Sequence, residues 1–201
     1  MMTIILDNGH GCNTLGKRSP VWSDGRQLFE WEFNRAIVKR IAATLERERI
    51  RYHILVPEKS DISLKERVRR INTYYRTHNQ DAFLLSIHAN AGGGTGWEAW
   101  TSRGTTKSDR IASIFYMEAH KSFGDEWKIR TDWTDNDEDK EADFYILKNT
   151  LCPAVLTENF FMDTERDCRY IMSERGRQVI ADMHVHAIHR IIKMYNEKGI
   201  I

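Results

Sequence analysis

The sequence predicts an α/β fold: a single domain with a mostly parallel, twisted sheet of about six strands and helices on both faces. Short apolar runs alternate with helical stripes along nearly the whole chain, as a parallel sheet covered on two sides requires. At about 100–200 residues per domain, 201 residues make one domain spanning 1–201, with no second unit expected. The composition, 41% hydrophobic and 29% charged, is that of a globular chain and not of a disordered one.

The elements follow in order. Thr3 to Leu6 is an apolar run closed by Asp7-Asn8-Gly9, a buried first strand. From Gln27 to Ile50, Phe33, Ile37, Ile41 and Leu45 recur every fourth residue, the stripe of an amphipathic helix. Tyr52 to Val56 is a second strand ended by Pro57. Ser63-Leu64-Lys65-Glu66 reads as a capping box opening a helix that carries Leu64, Val68, Ile71 and Tyr75. Ala82 to Ile87 is the most apolar stretch and the expected central strand. Trp97 to Thr101 follows a glycine-rich turn, and Thr106 to Asp109 starts a helix bearing Ile111, Phe115, Ala119 and Phe123. Residues 124–143 lack periodicity. Phe144–Leu147 and Ala154–Thr157 read as the last two strands, followed by a short helix after Asp163 and a long one from Ser173 to about Lys198.

Several function classes are excluded at this level. Thirty basic against twenty-nine acidic residues leave a net charge of +1, far from a nucleic-acid-binding surplus. Cys12, Cys152 and Cys168 allow at most one disulfide. No apolar run reaches the roughly eighteen residues of a membrane span. The opening MMTIILDNGHG has neither a basic leader nor a cleavage site, so it reads as a strand and not as a signal peptide.

Chemistry concentrates where open α/β sheets bind ligands, at the carboxyl ends of strands. His10 follows the first strand, His88 the central run and Glu158 the Pro153–Thr157 run, so one rim of a parallel sheet would carry all three. Glu30 lies three residues before Phe33, on the inward stripe of the first helix, where a lone carboxylate is costly without a partner. Two histidines, a carboxylate and an open fourth position make a catalytic zinc site, and a further glutamate nearby can serve as general base. The plainer alternative is two satisfied loop histidines and a glutamate that favours a helix N-terminus. The spacing matches no short metal motif.

Asp7-Asn8-Gly9-His10-Gly11, Glu30-Trp31-Glu32-Phe33-Asn34, Ser86-Ile87-His88-Ala89-Asn90-Ala91 and Pro153-Ala154-Val155-Leu156-Thr157-Glu158 together resemble the zinc-dependent N-acetylmuramoyl-L-alanine amidases. The resemblance is to the branch of cell-separation amidases and phage endolysins, and it runs from the first strand to the last helix. It implies that His10, Glu30 and His88 bind Zn²⁺ and that Glu158 is the catalytic glutamate. Asn34, four residues after the ligand in the family pattern, selects Glu30 over Glu32. Two departures stand out: Asn8 replaces the usual proline, and Phe160 replaces a glycine, which bears on the cleft wall beside Glu158.

The expected activity is hydrolysis of the amide between N-acetylmuramic acid and L-alanine in peptidoglycan. The expected partner is peptidoglycan, with no nucleic acid and no membrane insertion, and the protein is expected to be a monomer. Action is expected on the cell wall, reached by phage-type release or after removal of a leader. The alternatives are a zinc peptidase cutting within the stem peptide and a wall-binding module of the same fold without chemistry. The closely spaced His-x-x-Glu pair of zinc carboxypeptidases is absent around His10 and His88. The last helix carries His184, His186 and His189, to which no role is assigned. Residues 132–143 could bind Ca²⁺ but lack the ordered ligand pattern, so a solvated loop is expected. Asp7 is a candidate partner for a ligand histidine. Trp22, Trp127 and Trp133 lie in loops where indoles could stack on sugars, and Cys12 is expected to be a small buried hydrophobe.

Overall fold

The computed structural model describes residues 2–124 and 126–198. Six strands form one sheet: β1 (Thr3–Asn8), β2 (Tyr52–Ile54), β3 (Ala82–Asn90), β4 (Trp97–Thr101), β5 (Lys140–Glu141) and β6 (Ala154–Phe161). Their order is β2-β1-β3-β6-β4-β5. The pairs β1–β2, β1–β3 and β3–β6 are parallel, whereas β4 runs antiparallel to β6 and parallel to β5. The mostly parallel α/β sheet expected from the sequence is therefore present.

Alternating side chains along each strand build two cores. Ile4, Leu6, Phe83, Leu85 and Val155 face one side, where they meet α1 (Glu30–Arg47), α3 (Lys107–Phe123), α5 (Glu165–Met172) and α6 (Glu174–Lys198). Ile5, Leu84, Ala154 and Leu156 face the other, packing on α2 (Leu64–Thr77) and α4 (Tyr145–Lys148). The helices α1 and α2, which connect β1 to β2 and β2 to β3, thus lie on opposite faces. The strand order reverses between β1 and β3, and that reversal opens a crevice at their carboxyl ends.

Several expectations are corrected. Phe144–Leu147 is not a strand. Tyr145–Lys148 makes one helical turn that buries the adjacent Ile146 and Leu147 against α2 and leaves Phe144 and Tyr145 exposed. A four-residue apolar run carries too little periodicity to separate the two states, and the sheet edge is taken by Lys140–Glu141 instead. Helix α1 is shorter than the 27–50 stretch, because Phe29 is extended at the N-cap and Arg49 adopts a positive φ. Ser63 does cap α2, accepting from the Glu66 amide at 3.3 Å, but the Glu66 carboxylate pairs with Arg69 and Arg70 rather than closing the box. Strands β3 and β6 run past Ile87 and Thr157, so His88 and Glu158 lie inside strands and not beyond their ends.

All three cysteines are free, and Cys12 is exposed, not buried. His184 is buried within hydrogen-bonding distance of Thr157 Oγ1 (3.0 Å) and Ile180 O (2.7 Å), and burial pushes its pKa down to about 4. His186 is exposed, and His189 meets Glu48. The acidic loop is only partly solvated: Asp139 is buried and accepts from Thr101 Oγ1 at 2.6 Å. Burial, followed by the neighbouring Asp137 carboxylate, pushes the Asp139 carboxyl up to about 8. Of the loop tryptophans, Trp133 is exposed, Trp127 is buried, and Trp22 donates to Cys168 Sγ. Among the described residues no helix is long and apolar enough to cross a membrane.

The pairing of β3 with β6 slips by one residue between His88 and Asn90. At this bulge Phe160 takes a φ of +67°, a conformation suited to glycine. The left-handed backbone costs roughly 1–2 kcal/mol. Truncating a buried phenylalanine costs about 3–5 kcal/mol, and the Phe160 ring packs 5.0 Å from the rings of Phe123, Trp127 and Tyr170. Packing therefore outweighs strain. Phe160→Gly should lower stability by about 2 kcal/mol or more despite relieving the backbone, as read from urea denaturation; a variant as stable as wild type would refute this balance.

Candidate metal centre

The crevice between β1 and β3 is a cleft of about 460 Å³, floored by His10, His88 and Glu158 and walled by α2, α4 and Lys17. His10 comes from the turn after β1, Glu30 from the first residue of α1 and His88 from β3. One ligand-capable atom from each of the three lies within 4.8 Å of the other two. His10 Nε2 stands 3.3 Å and His88 Nδ1 3.0 Å from the same oxygen, Glu30 Oε1. The two imidazoles meet edge to face with centroids 5.0 Å apart.

Backbone geometry makes this convergence possible. A Cβ on Gly9 would lie 2.1 Å from His88 Cε1, so the His88 ring needs a glycine there. A Cβ on Gly11 would lie 2.0 Å from the Asp61 backbone nitrogen, so the loop can close only over glycine. His10 itself has a φ of +62°, a strained value for a residue with a side chain. Asn34, one helical turn beyond Glu30, donates to the Gly9 carbonyl at 3.0 Å and ties α1 to this turn. That contact gives the Glu30–Asn34 spacing a physical role. Glu32 points elsewhere and pairs with Arg177. Asn8, where the resemblance expects proline, lies within β1 and donates from Nδ2 to the Val56 carbonyl at 3.1 Å.

The electrostatics suit a cation. Burial raises the Glu30 pKa, but hydrogen bonds from His10 and His88 outweigh it and hold the carboxyl well below the usual range. For His88, burial opposes the charged form, and the Glu30 carboxylate more than offsets that effect, so its pKa is raised. Glu30 Oε2 and Glu158 Oε2 are both buried without a hydrogen-bond partner. Unpaired buried carboxylate oxygens are costly. Two nitrogens and one oxygen donor converging beside them fit a metal ion with a position left for water. Glu158 lies in register between His88 and Glu98. Burial first, and the Glu30 and Glu98 carboxylates after it, push Glu158 up to about 8; a dication held by the three neighbouring residues would lower it.

The sequence did not single out what holds the site in place. Arg67 of α2 is 2% exposed and pairs with Asp7, and it donates to the Asn8 and His10 carbonyls (both 3.3 Å), Asp61 Oδ1 (3.0 Å) and the Ile62 carbonyl (2.9 Å). Arg35 donates to the same His10 carbonyl at 2.9 Å. Asp7 therefore serves Arg67 and Ser86, not a ligand histidine. The available signal was Arg67 itself, a charge four residues before Ile71 on the inward side of an amphipathic helix.

Similarity to known proteins extends over nearly the whole chain. The profile of the family described as N-acetylmuramoyl-L-alanine amidase matches residues 4–190. The N-acetylmuramoyl-L-alanine amidase CwlM of Bacillus licheniformis is 30% identical over 199 residues, covering 96% of this chain and 70% of that protein. The endolysin of Bacillus phage SPP1 is 28% identical over 205 residues, covering 98% and 68%. Among solved structures, the N-acetylmuramoyl-L-alanine amidase from Clostridium difficile 630 superposes with a TM-score of 0.78 at 24% identity over 98% of both chains, a likeness of fold.

Removing one partner of a buried ion pair costs about 3–5 kcal/mol. Arg67→Met should therefore destabilise by about that amount in urea, and adding Asp7→Asn should recover part of the loss. A single variant within 1 kcal/mol of wild type, on the order of a surface change, would contradict the proposed weight of this pair.

Proposed function

The chain belongs to the family of N-acetylmuramoyl-L-alanine amidases, and we propose that it hydrolyses the N-acetylmuramic acid–L-alanine amide with a zinc ion held by His10, Glu30 and His88. Peptidoglycan hydrolysis follows from the family. On this reading residues 1–201 act as a single catalytic unit, a monomer that works at the cell wall. One observation carries it: His10 Nε2 and His88 Nδ1 converge on Glu30 Oε1, with the orphaned Glu158 Oε2 in the same cleft.

An amide carbonyl is a weak electrophile and neutral water a weak nucleophile. A zinc ion held by His10, Glu30 and His88 would supply Lewis acidity, which activates a carbonyl and brings the pKa of a water to roughly 7. This chain's residues do the rest. His10, Glu30 and His88 provide a neutral–anionic–neutral donor set, and Asn34 fixes the turn that presents His10. Glu158 accepts the proton of the attacking water on its free oxygen and returns it to the leaving L-alanine nitrogen. The exposed Leu64, Phe144 and Tyr145 line the cleft beside it and would carry the peptide or sugar.

Purified protein should contain one zinc per chain, which His10→Ala, His88→Ala or Glu30→Ala abolishes and Glu32→Ala preserves; retention in the first three would refute the ligand set. Glu158→Gln should keep its zinc and lose about 10²–10⁴ in turnover. Digestion of peptidoglycan should release new L-alanine amino termini and intact stem peptides. Cleavage inside the stem would move the reading to a peptidase, and new reducing ends would refute both.

A further inference from the structure

Among the described residues, the cleft is lined by two lysine or arginine side chains, and they differ in availability. The Arg67 guanidinium is enclosed and committed to Asp7, Asp61 and three backbone carbonyls. Lys17 is 45% exposed, and its ammonium stands 3.9 Å from Glu30 Oε2, beyond hydrogen-bond reach. Its place is built and not incidental. The Lys17 carbonyl accepts from the Glu30 amide at 3.1 Å, Arg18 pairs with Phe29 in an antiparallel bridge, and Ser19 N donates to Leu28 O at 2.9 Å. This short ladder sets Lys17 beside the first residue of α1, on the wall of the cleft that holds His10, His88 and Glu158.

We propose, on the amidase reading above, that the Lys17 ammonium contacts the carbonyl oxygen of the scissile amide and stabilises the negative charge that develops there. The reaction shows the need. The water oxygen adds to the carbonyl carbon, the C=O π pair moves onto oxygen, and Glu158 takes the water proton. The oxyanion then re-forms C=O, the C–N bond breaks, and the Glu158 proton passes to nitrogen, giving a carboxylic acid and a free amine. Once Glu158 has taken the water proton, a zinc dication and the Glu30 carboxylate would leave one formal positive charge facing the oxyanion, and the Lys17 ammonium adds a second beside Glu30 Oε2. An ion pair with Glu30 alone would not require an ammonium open to the cleft. A positive charge next to a developing oxyanion acts on the transition state more than on the bound substrate.

The test compares wild type with Lys17→Met and Lys17→Arg, all zinc-loaded, on purified peptidoglycan and on N-acetylmuramoyl-L-alanyl peptide. Lys17→Met should keep one zinc per chain and lose about 10–100-fold in kcat with KM within about twofold, and Lys17→Arg should recover most of the loss. In titration calorimetry, a phosphonate with tetrahedral phosphorus at the scissile carbonyl position should bind Lys17→Met about 10-fold or more weakly. Three results would overturn the assignment: unchanged kcat, a raised KM with kcat intact, which would make Lys17 a ground-state anchor, and zinc loss, which would make it a partner of Glu30 only. Wild type that releases no stem peptide would instead refute the amidase reading, and with it this role.

Discussion

The buried guanidinium of Arg67 joins the end of β1 to α2, and the geometry of the cleft depends on it. Desolvating an arginine and an aspartate costs several kcal/mol per ion, so the pair is stable only where every donor finds a partner. Here Asp7, Asp61 and the carbonyls of Asn8, His10 and Ile62 accept from the guanidinium, and Ser86 occupies the other Asp7 oxygen at 2.6 Å. The result is a fixed peptide between Asn8 and His10. That rigidity matters because His10 sits in a left-handed conformation that the chain would otherwise relax. Arg35 grips the same carbonyl from α1, so the two helices flanking the topological switch hold one turn between them.

Much of this was legible in the sequence, for definite reasons. The parallel sheet followed from continuous apolar runs such as Phe83 to Ile87, which only a strand covered on both faces can bury. Glu30 was legible because a carboxylate on the inward stripe of an amphipathic helix demands a partner, and the structure brings it to the two histidines. What escaped was long-range. Phe144–Leu147 is apolar in either state, and only packing on α2 makes it a helical turn. The dependence of Asn34 on Gly9, of Lys17 on Glu30 and of Arg67 on Asp7 spans separations that no local pattern encodes. Asp139 belongs here too. Its burial is set by Thr101 on a neighbouring strand, whereas its own segment reads as a solvated acidic loop.

The two glutamates that face each other across β4 and β6 show how environment separates roles within one residue type. Glu98 and Glu158 are register partners. Glu98 is saturated: Arg130 Nε at 2.6 Å and Lys140 Nζ at 3.1 Å meet Oε2, and Asn90 Nδ2 at 2.7 Å and Trp100 Nε1 at 3.1 Å meet Oε1. Both oxygens of this carboxylate are thus taken up by donors. Glu158 has an oxygen without a partner and faces the cleft. Four donors enclose one carboxylate of the pair, and the other keeps an oxygen open toward the cleft. Burial above all, and then the Glu30 and Glu98 carboxylates, raise the affinity of Glu158 for a proton. A buried carboxyl beside two carboxylates needs a compensating positive field to stay ionised, and a metal ion at the three-residue centre would provide it. Metal binding and the competence of the proposed base are then one electrostatic event.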